Sequence, residues 1–179
     1  MKIFISASSS RNEFINSIQS LIETEYQDKH ECIYIPWHPS LPRDPTLLDR
    51  IKSNIIVSHL ILMDVTPEEL RTVDSSQTKW VTNEGVLIEY GIIVAFDWLY
   101  KLCVYCDAQV DRDHIHPAFH KPIDPYTVDD IEAFKQTLKI VIRNREQSIE
   151  EEAIRREIDL IPTKTSLAGS ISPYSERKT

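Results

Sequence analysis

The chain has 179 residues, which suits one domain and is thin for two. Its formal net charge is −8 and no basic run exceeds a pair, so nucleic acid is not an expected partner. Three glycines exclude any phosphate loop that needs several of them, such as GxGxxG or GxxxxGK. The opening MKIFISASSSRNEF has too short an apolar run for a signal peptide, and no stretch of about 18 apolar residues suits a membrane span. Three cysteines form no disulfide framework, so the expected location is the cytoplasm.

In chain order, KIFISA (2–7) reads as a short buried strand, broken by the serines that follow. Ser10 and Glu13 have capping-box spacing, and Phe14, Ile15, Ile18, Leu21 and Ile22 recur at helical spacing, which predicts a helix over 11–25. ECIYIPW is a second strand, and HPSLPRDP, rich in proline, a loop. TLLDRIKSNIIV reads as a second helix and HLILMDV as a third strand. TPEELRTVDSSQTK is polar and is expected as an exposed loop with at most one helical turn. WVTNEGVLIEYGIIVAFDWLY is apolar and free of proline, which predicts a third helix, and KLCVYC a fourth strand. Residues 108–126 form a polar loop, long for a connection. Thr127 is expected to cap a helix through 147, and Ser148 with Glu151 to open a further one.

Alternating strands and helices call for a parallel sheet covered on both faces. The expected fold is a flavodoxin-like three-layer α/β sandwich, its parallel sheet having about four to five strands, with extra C-terminal helices. Residues 1–107 form the α/β core, 108–161 complete the same domain, and 162–179 are a polar tail expected to be disordered. In such sheets ligands sit at the carboxyl ends of the strands. The loops SSSR, WHPSLPRD and DVTPEE, and the one after the fourth strand, therefore share one rim.

Several residues on or near that rim could carry chemistry. Glu89 interrupts an apolar run, either on a solvated helix face or as one acid held beside a pocket. Asp64 ends the third strand, where it could accept from sugar hydroxyls or act as a turn or cap residue. Ser6, Ser8 and Ser9 with Arg11 could hold a phosphate or simply cap a helix. Trp37 and His38 follow the second strand, where an aromatic could stack on a base or pack against the rim. Arg43 and Asp44 share that loop. Cys103, Cys106, His114, His116 and His120 have zinc-like content. Yet the two cysteines lie three apart on a strand and face opposite sides, so no metal is expected.

MDVT at 63–66, followed by a variable loop and NEGVLIEYGIIVAF, resembles the TIR-like and nucleoside 2-deoxyribosyltransferase-like group of α/β domains. Many of those carry a D-x-T turn and then N-P-N-V-x-x-E-L-G-x-A. Asp64 and Thr66 match the first part; Asn83, Val86, Glu89 and Gly91 match the second. Glu84, Gly85, Tyr90 and Ile93 depart from it. KIFISASSSRNEF is similar to the opening of such domains, and the resemblance covers 1–107. It implies that Glu89 is the acid that supports cleavage or exchange of an N-glycosidic bond. The substrate would be NAD in the NADase type or a nucleoside in the transferase type. Glu84, reached through Trp80 in a W-x-x-x-E pattern, is the alternative acid. Ser6, Ser8, Ser9, Arg11, Trp37, His38, Asp64, Thr66, Asn83 and Tyr90 would bind substrate. NAD then serves as substrate and no separate cofactor is needed. The resemblance further implies anti-phage defence, a homo-oligomer and a partner effector protein, without nucleic acid or membrane. A nucleotide-sensing or adaptor module, with Glu89 structural, is the non-enzymatic alternative.

Overall fold

The computed structural model describes residues 1–36, 46–74, 77–107, 126–128 and 131–159. At 28, 69–74, 77–80, 126–128 and 158–159 the description covers backbone only. The chain divides into two compact units, Met1–Glu146 and Gln147–Thr179. The first contains the sheet.

Strands β1 (Lys2–Ser6), β2 (Glu31–Tyr34) and β3 (Leu60–Asp64) alternate with helices α1 (Asn12–Tyr26) and α2 (Leu47–Val57). A hairpin of β4 (Glu69–Asp74) and β5 (Gln77–Val81) then precedes α3 (Glu84–Ala95). Strands β6 (Leu102–Asp107) and β7 (Tyr126–Val128) and helix α4 (Ile131–Asp159) complete the order. The sheet runs β2-β1-β3-β6-β7, and every pairing in it is parallel. The expected flavodoxin-like α/β architecture is therefore what the chain adopts.

The strands are near-continuous apolar runs because both sheet faces are covered. Ile3, Ile5, Leu60 and Leu62 pack with α1 residues Phe14 and Ile18 and α4 residues Phe134 and Leu138. Phe4, Ile61 and Met63 pack on the opposite face with Ile51 and Ile55 of α2 and Val86, Tyr90 and Ile93 of α3. All five α1 residues picked out by helical spacing are buried. Cys103 belongs to the first face and Cys106 to the second, as a three-residue step along a strand requires.

Five local expectations need correcting. The segment expected as an exposed loop forms the antiparallel β4–β5 hairpin, with Leu70 opposite Trp80 and Thr72 opposite Thr78. Its Leu, Thr, Val and Trp favour strands and outweigh the polar content. The third helix consequently starts at Glu84 rather than Trp80. It also stops at Ala95, well short of Tyr100. Asp97 takes a left-handed conformation, φ 56°. Its N–H bonds Val94 O and the Trp98 N–H bonds Ile93 O, both across 2.9–3.1 Å. That is a Schellman stop, with aspartate in the place glycine usually fills.

Thr127 lies within β7, paired with Cys106, where a β-branched residue fits, rather than at a helix start. The two expected C-terminal helices are one, α4, because no glycine or proline separates Gln147 from Ser148. The Ser10–Glu13 capping box also fails. Arg11 is the N-cap of α1 and no side chain caps it; the Ser10 hydroxyl instead donates to Glu68 Oε2. No helix among the described residues is long and apolar enough to cross a membrane.

Candidate functional site at the carboxyl rim of the sheet

Helix α3 begins at Asn83, whose Oδ1 accepts from Gly85 N at 2.8 Å. Gly85, Val86, Glu89, Tyr90 and Ile93 are its buried residues. This spacing lays one face of the helix on the sheet and places Glu89 on that inward face. Glu89 is 5% exposed, so it does not project into solvent. Glu84 is exposed in the first turn of α3, where negative charge suits the helix dipole.

Ser6, 1% exposed at the end of β1, lies two residues beyond Phe4 and so on the α3 side of the sheet. Its hydroxyl is near enough to ease ionisation of Glu89, although no hydrogen bond of good geometry closes between them. Burial dominates and pushes the Glu89 carboxyl up to about 8. Holding this group ionised without a partner costs roughly 5 kcal/mol at that value. Such an acid is a poor structural choice and a usual feature of a reactive site.

Beside it, on the α1 side, stands an ionic cluster. Arg11 Nε donates to Asp64 Oδ2 at 2.7 Å. Its Nη2 lies 3.0 Å from Asp107 Oδ2 and 3.4 Å from Thr66 Oγ1. Burial works against the Arg11 charge, but Asp64 and then Asp107 together hold its pKa above the ordinary value. Asp64 is buried and accepts from Thr66 N at 3.0 Å. Burial pushes its carboxyl up while Arg11 and Thr66 pull against that. Thr66 Oγ1 accepts from Asp107 N at 3.1 Å, and Tyr105 Oη donates to Asp107 Oδ1. Ser8 Oγ and Ser10 Oγ are 2.9 Å apart, and Ser10 holds Glu68. The serine loop and Arg11 thus hold the protein's own carboxylates where a ligand phosphate was expected.

Three buried side-chain atoms at this rim have no hydrogen-bond partner: Ser6 Oγ, Tyr34 Oη and Glu68 Oε1. The only other such atom among the described residues is His30 Nε2, which lies 3.2 Å from Glu146 Oε1. Buried polar atoms in folded proteins nearly always find partners, so three orphans at one rim call for an explanation. Tyr34 ends β2, opposite Ile5 of β1, and its ring packs against the α1-side core. Burial, then the charges of Glu89 and Glu68, push the Tyr34 phenol up.

The structure therefore brings together Ser6, Ser8, Arg11, Asp64, Thr66 and Glu89 at the carboxyl ends of β1 and β3. The chain leaves β1 toward α1 and β3 toward α3, on opposite faces, which is where open α/β sheets form a ligand crevice. Ser9 lies in the turn before α1, and Asn83 is engaged as the cap of α3. Tyr90 is buried on α3 within the core. Trp37, His38, Arg43, Asp44 and the histidines at 114, 116 and 120 lie outside the described residues, as does the tail at 162–179. Sequence reasoning missed Tyr34, Glu68 and Asp107. The strands read from the sequence end at Trp37 and Cys106, so Tyr34 and Asp107 emerge as strand ends only in the structure. Comparison with models of known families and with curated proteins finds no match for this chain.

Proposed function

We propose that this chain processes NAD, cleaving or rearranging the N-glycosidic bond to nicotinamide, with Glu89 as the acid at the sugar. The observation that carries the reading is a carboxyl group, pushed up to about 8, buried at the strand rim without a cation partner among the described residues. Breaking the C1′–N bond sends the electron pair to the nicotinamide nitrogen, which leaves as a neutral base. The sugar is left with oxocarbenium charge. The Glu89 carboxylate stabilises that charge or captures it as an ester. Water then attacks C1′ and gives up a proton, or an adenine nitrogen attacks to close a ring.

A carboxyl with a pKa near 8 holds its proton in the empty site at neutral pH. The pyridinium of NAD carries one positive charge. At about 5 Å and an effective dielectric near 20 it favours the carboxylate by roughly 3 kcal/mol. That is about a hundredfold in the ratio of ionised to protonated carboxyl. A cationic leaving group thus switches on the acid that it needs. Anti-phage defence, through NAD depletion or a nucleotide signal, and assembly into a homo-oligomer with an effector partner belong to the same proposal.

Nucleoside 2-deoxyribosyl transfer is the second reading. It is favoured by the commitment of Arg11 to Asp64 and Asp107, which takes up the positive charge that Arg11 would offer a pyrophosphate. Incubation with NAD decides between them. Nicotinamide release is expected, with kcat/KM rising with pH until about 8, and Glu89→Gln should lower it about a thousandfold. Release that survives Glu89→Gln would mean that another acid acts. Absence of release, with base exchange between deoxyinosine and adenine, would establish the transferase instead. Nucleotide binding without either reaction would leave a sensor.

A further inference from the structure

We propose that the outward face of α3 is where this chain meets a second copy of itself, the two α3 helices crossing antiparallel. This deepens the assembly part of the reading above. Oligomeric state is measured without NAD, so the dimer and the reaction can each fail alone.

A helix on the surface of a monomer keeps one apolar stripe for the core and shows charge to water. From Gly85 to Phe96 the only charged residue is Glu89, and it lies on the buried face. The side of α3 turned away from the sheet carries Ile88, Gly91 and Ala95, at i, i+3 and i+7 along one stripe. Val94 flanks that stripe and Phe96 follows its last turn. Ile88, Val94 and Phe96 are 41%, 46% and 44% exposed. Helix α2 packs beside α3 on the same sheet face and adds Leu48 and Ile56, 54% and 45% exposed. Lys52 of α2 ties the two helices, its Nζ 5.0 Å from the centre of the Phe96 ring.

A side chain of this size shows about 150–200 Å² when fully exposed, so these five present roughly 400 Å² of apolar surface. A standard interface buries about 800 Å² on each partner, and in homodimers about two-thirds of it is apolar. The face thus supplies most of the apolar area that a stable dimer needs.

Charge selects the occupant and its direction. The chain carries −8, so two copies repel wherever their acids meet. The outward stripe of α3 holds one acid, Glu84, in the first turn. Glu84 lies about 10 Å before Gly91 and Phe96 about 8 Å after it, at 1.5 Å per residue. An antiparallel crossing near Gly91 therefore sets Glu84 of each copy at the height of Lys52 of the other. The helix dipoles then oppose as well. A parallel crossing would set the two Glu84 side chains together.

Sedimentation equilibrium of the full chain over about 1–200 µM should show a reversible dimer. Ile88→Glu places a charge in the face twice per dimer and should raise Kd at least about a hundredfold. Gly91→Ala keeps the face apolar, has open space for its methyl, and should leave the dimer intact. Glu84→Lys and Lys52→Glu should each weaken the dimer about fivefold, and the two together should restore it. Within one chain these residues stand at opposite ends of α3, so recovery reports on contact between copies. Urea midpoints measured on dilute samples show whether the folding of the single copy has changed. A chain that stays single throughout the range, or a dimer that Ile88→Glu leaves unchanged, would overturn the interface. Loss in both single charge variants without recovery in the double would overturn the antiparallel crossing.

Discussion

On the α1 side of the strand rim, Arg11 is held by Asp64 at 2.7 Å and Asp107 at 3.0 Å, with Thr66 and Tyr105 satisfying the remaining oxygens. A few residues away, on the α3 side, Glu89 is equally buried and has a neighbouring hydroxyl that does not bond it. Both regions withdraw carboxylates from water, and burial drives Asp64 and Glu89 in the same direction. Compensation separates them. The Arg11 cluster spans the loops after β1 and β3 and fixes their spacing. Glu89 fixes nothing and stays poised to meet a charge from outside. The first arrangement stabilises the fold; the second costs stability.

Proton linkage gives the largest test of that contrast. The Glu89 pKa is raised from 4.5 to about 8 by folding, so the folded chain holds a proton that the unfolded chain releases. Its contribution is fully present below pH 4.5, is lost as pH rises to about 8, and then levels. Glu89→Gln removes this dependence. Urea unfolding should show the variant gaining on the parent chain between those pH values, by a few kcal/mol at the upper end. A gap that does not change with pH would mean that Glu89 is solvated.

Next in size, Arg11→Ala should destabilise the fold by about 3 kcal/mol, since it leaves buried Asp64 without its cation. The loss should shrink in acid, as Asp64 takes up a proton. Were Arg11 chiefly a ligand for phosphate, the urea midpoint would stay put and nucleotide affinity would fall instead.

The smallest effect concerns Gly91, which matches the resemblance yet would meet nothing within 4 Å of an added Cβ. Gly91→Ala should raise stability by about 1 kcal/mol through helix propensity, seen as a rise of about 2–4 °C in Tm. A lower Tm would indicate that something approaches this exposed helix face closely.

Much of this architecture was legible. Apolar runs in β1, β3 and β6 and the helical spacing of Phe14, Ile15, Ile18, Leu21 and Ile22 are strong signals, because a sheet covered on both faces demands them. The placement of Glu89 on an inward face followed from its resemblance to a known pattern, not from periodicity, since α3 is apolar on nearly every side. The hairpin was hidden by Glu69, Arg71 and Asp74, which break the apolar alternation that marks a strand. The end of α3 was hidden because Asp97 does the work of a glycine. Tyr34 reads as an ordinary strand residue; only the structure shows that its buried hydroxyl lacks a hydrogen-bond partner.

The hairpin between β3 and α3 leaves the sheet and returns to the point of departure. Glu68 N bonds Val81 O at 3.1 Å, and Thr82 Oγ1 donates to Val65 O at 2.9 Å. These two stitches close the excursion at its base and tie the entry of α3 to the end of β3. Lengthening the turn of the hairpin should therefore leave Glu89 where it is.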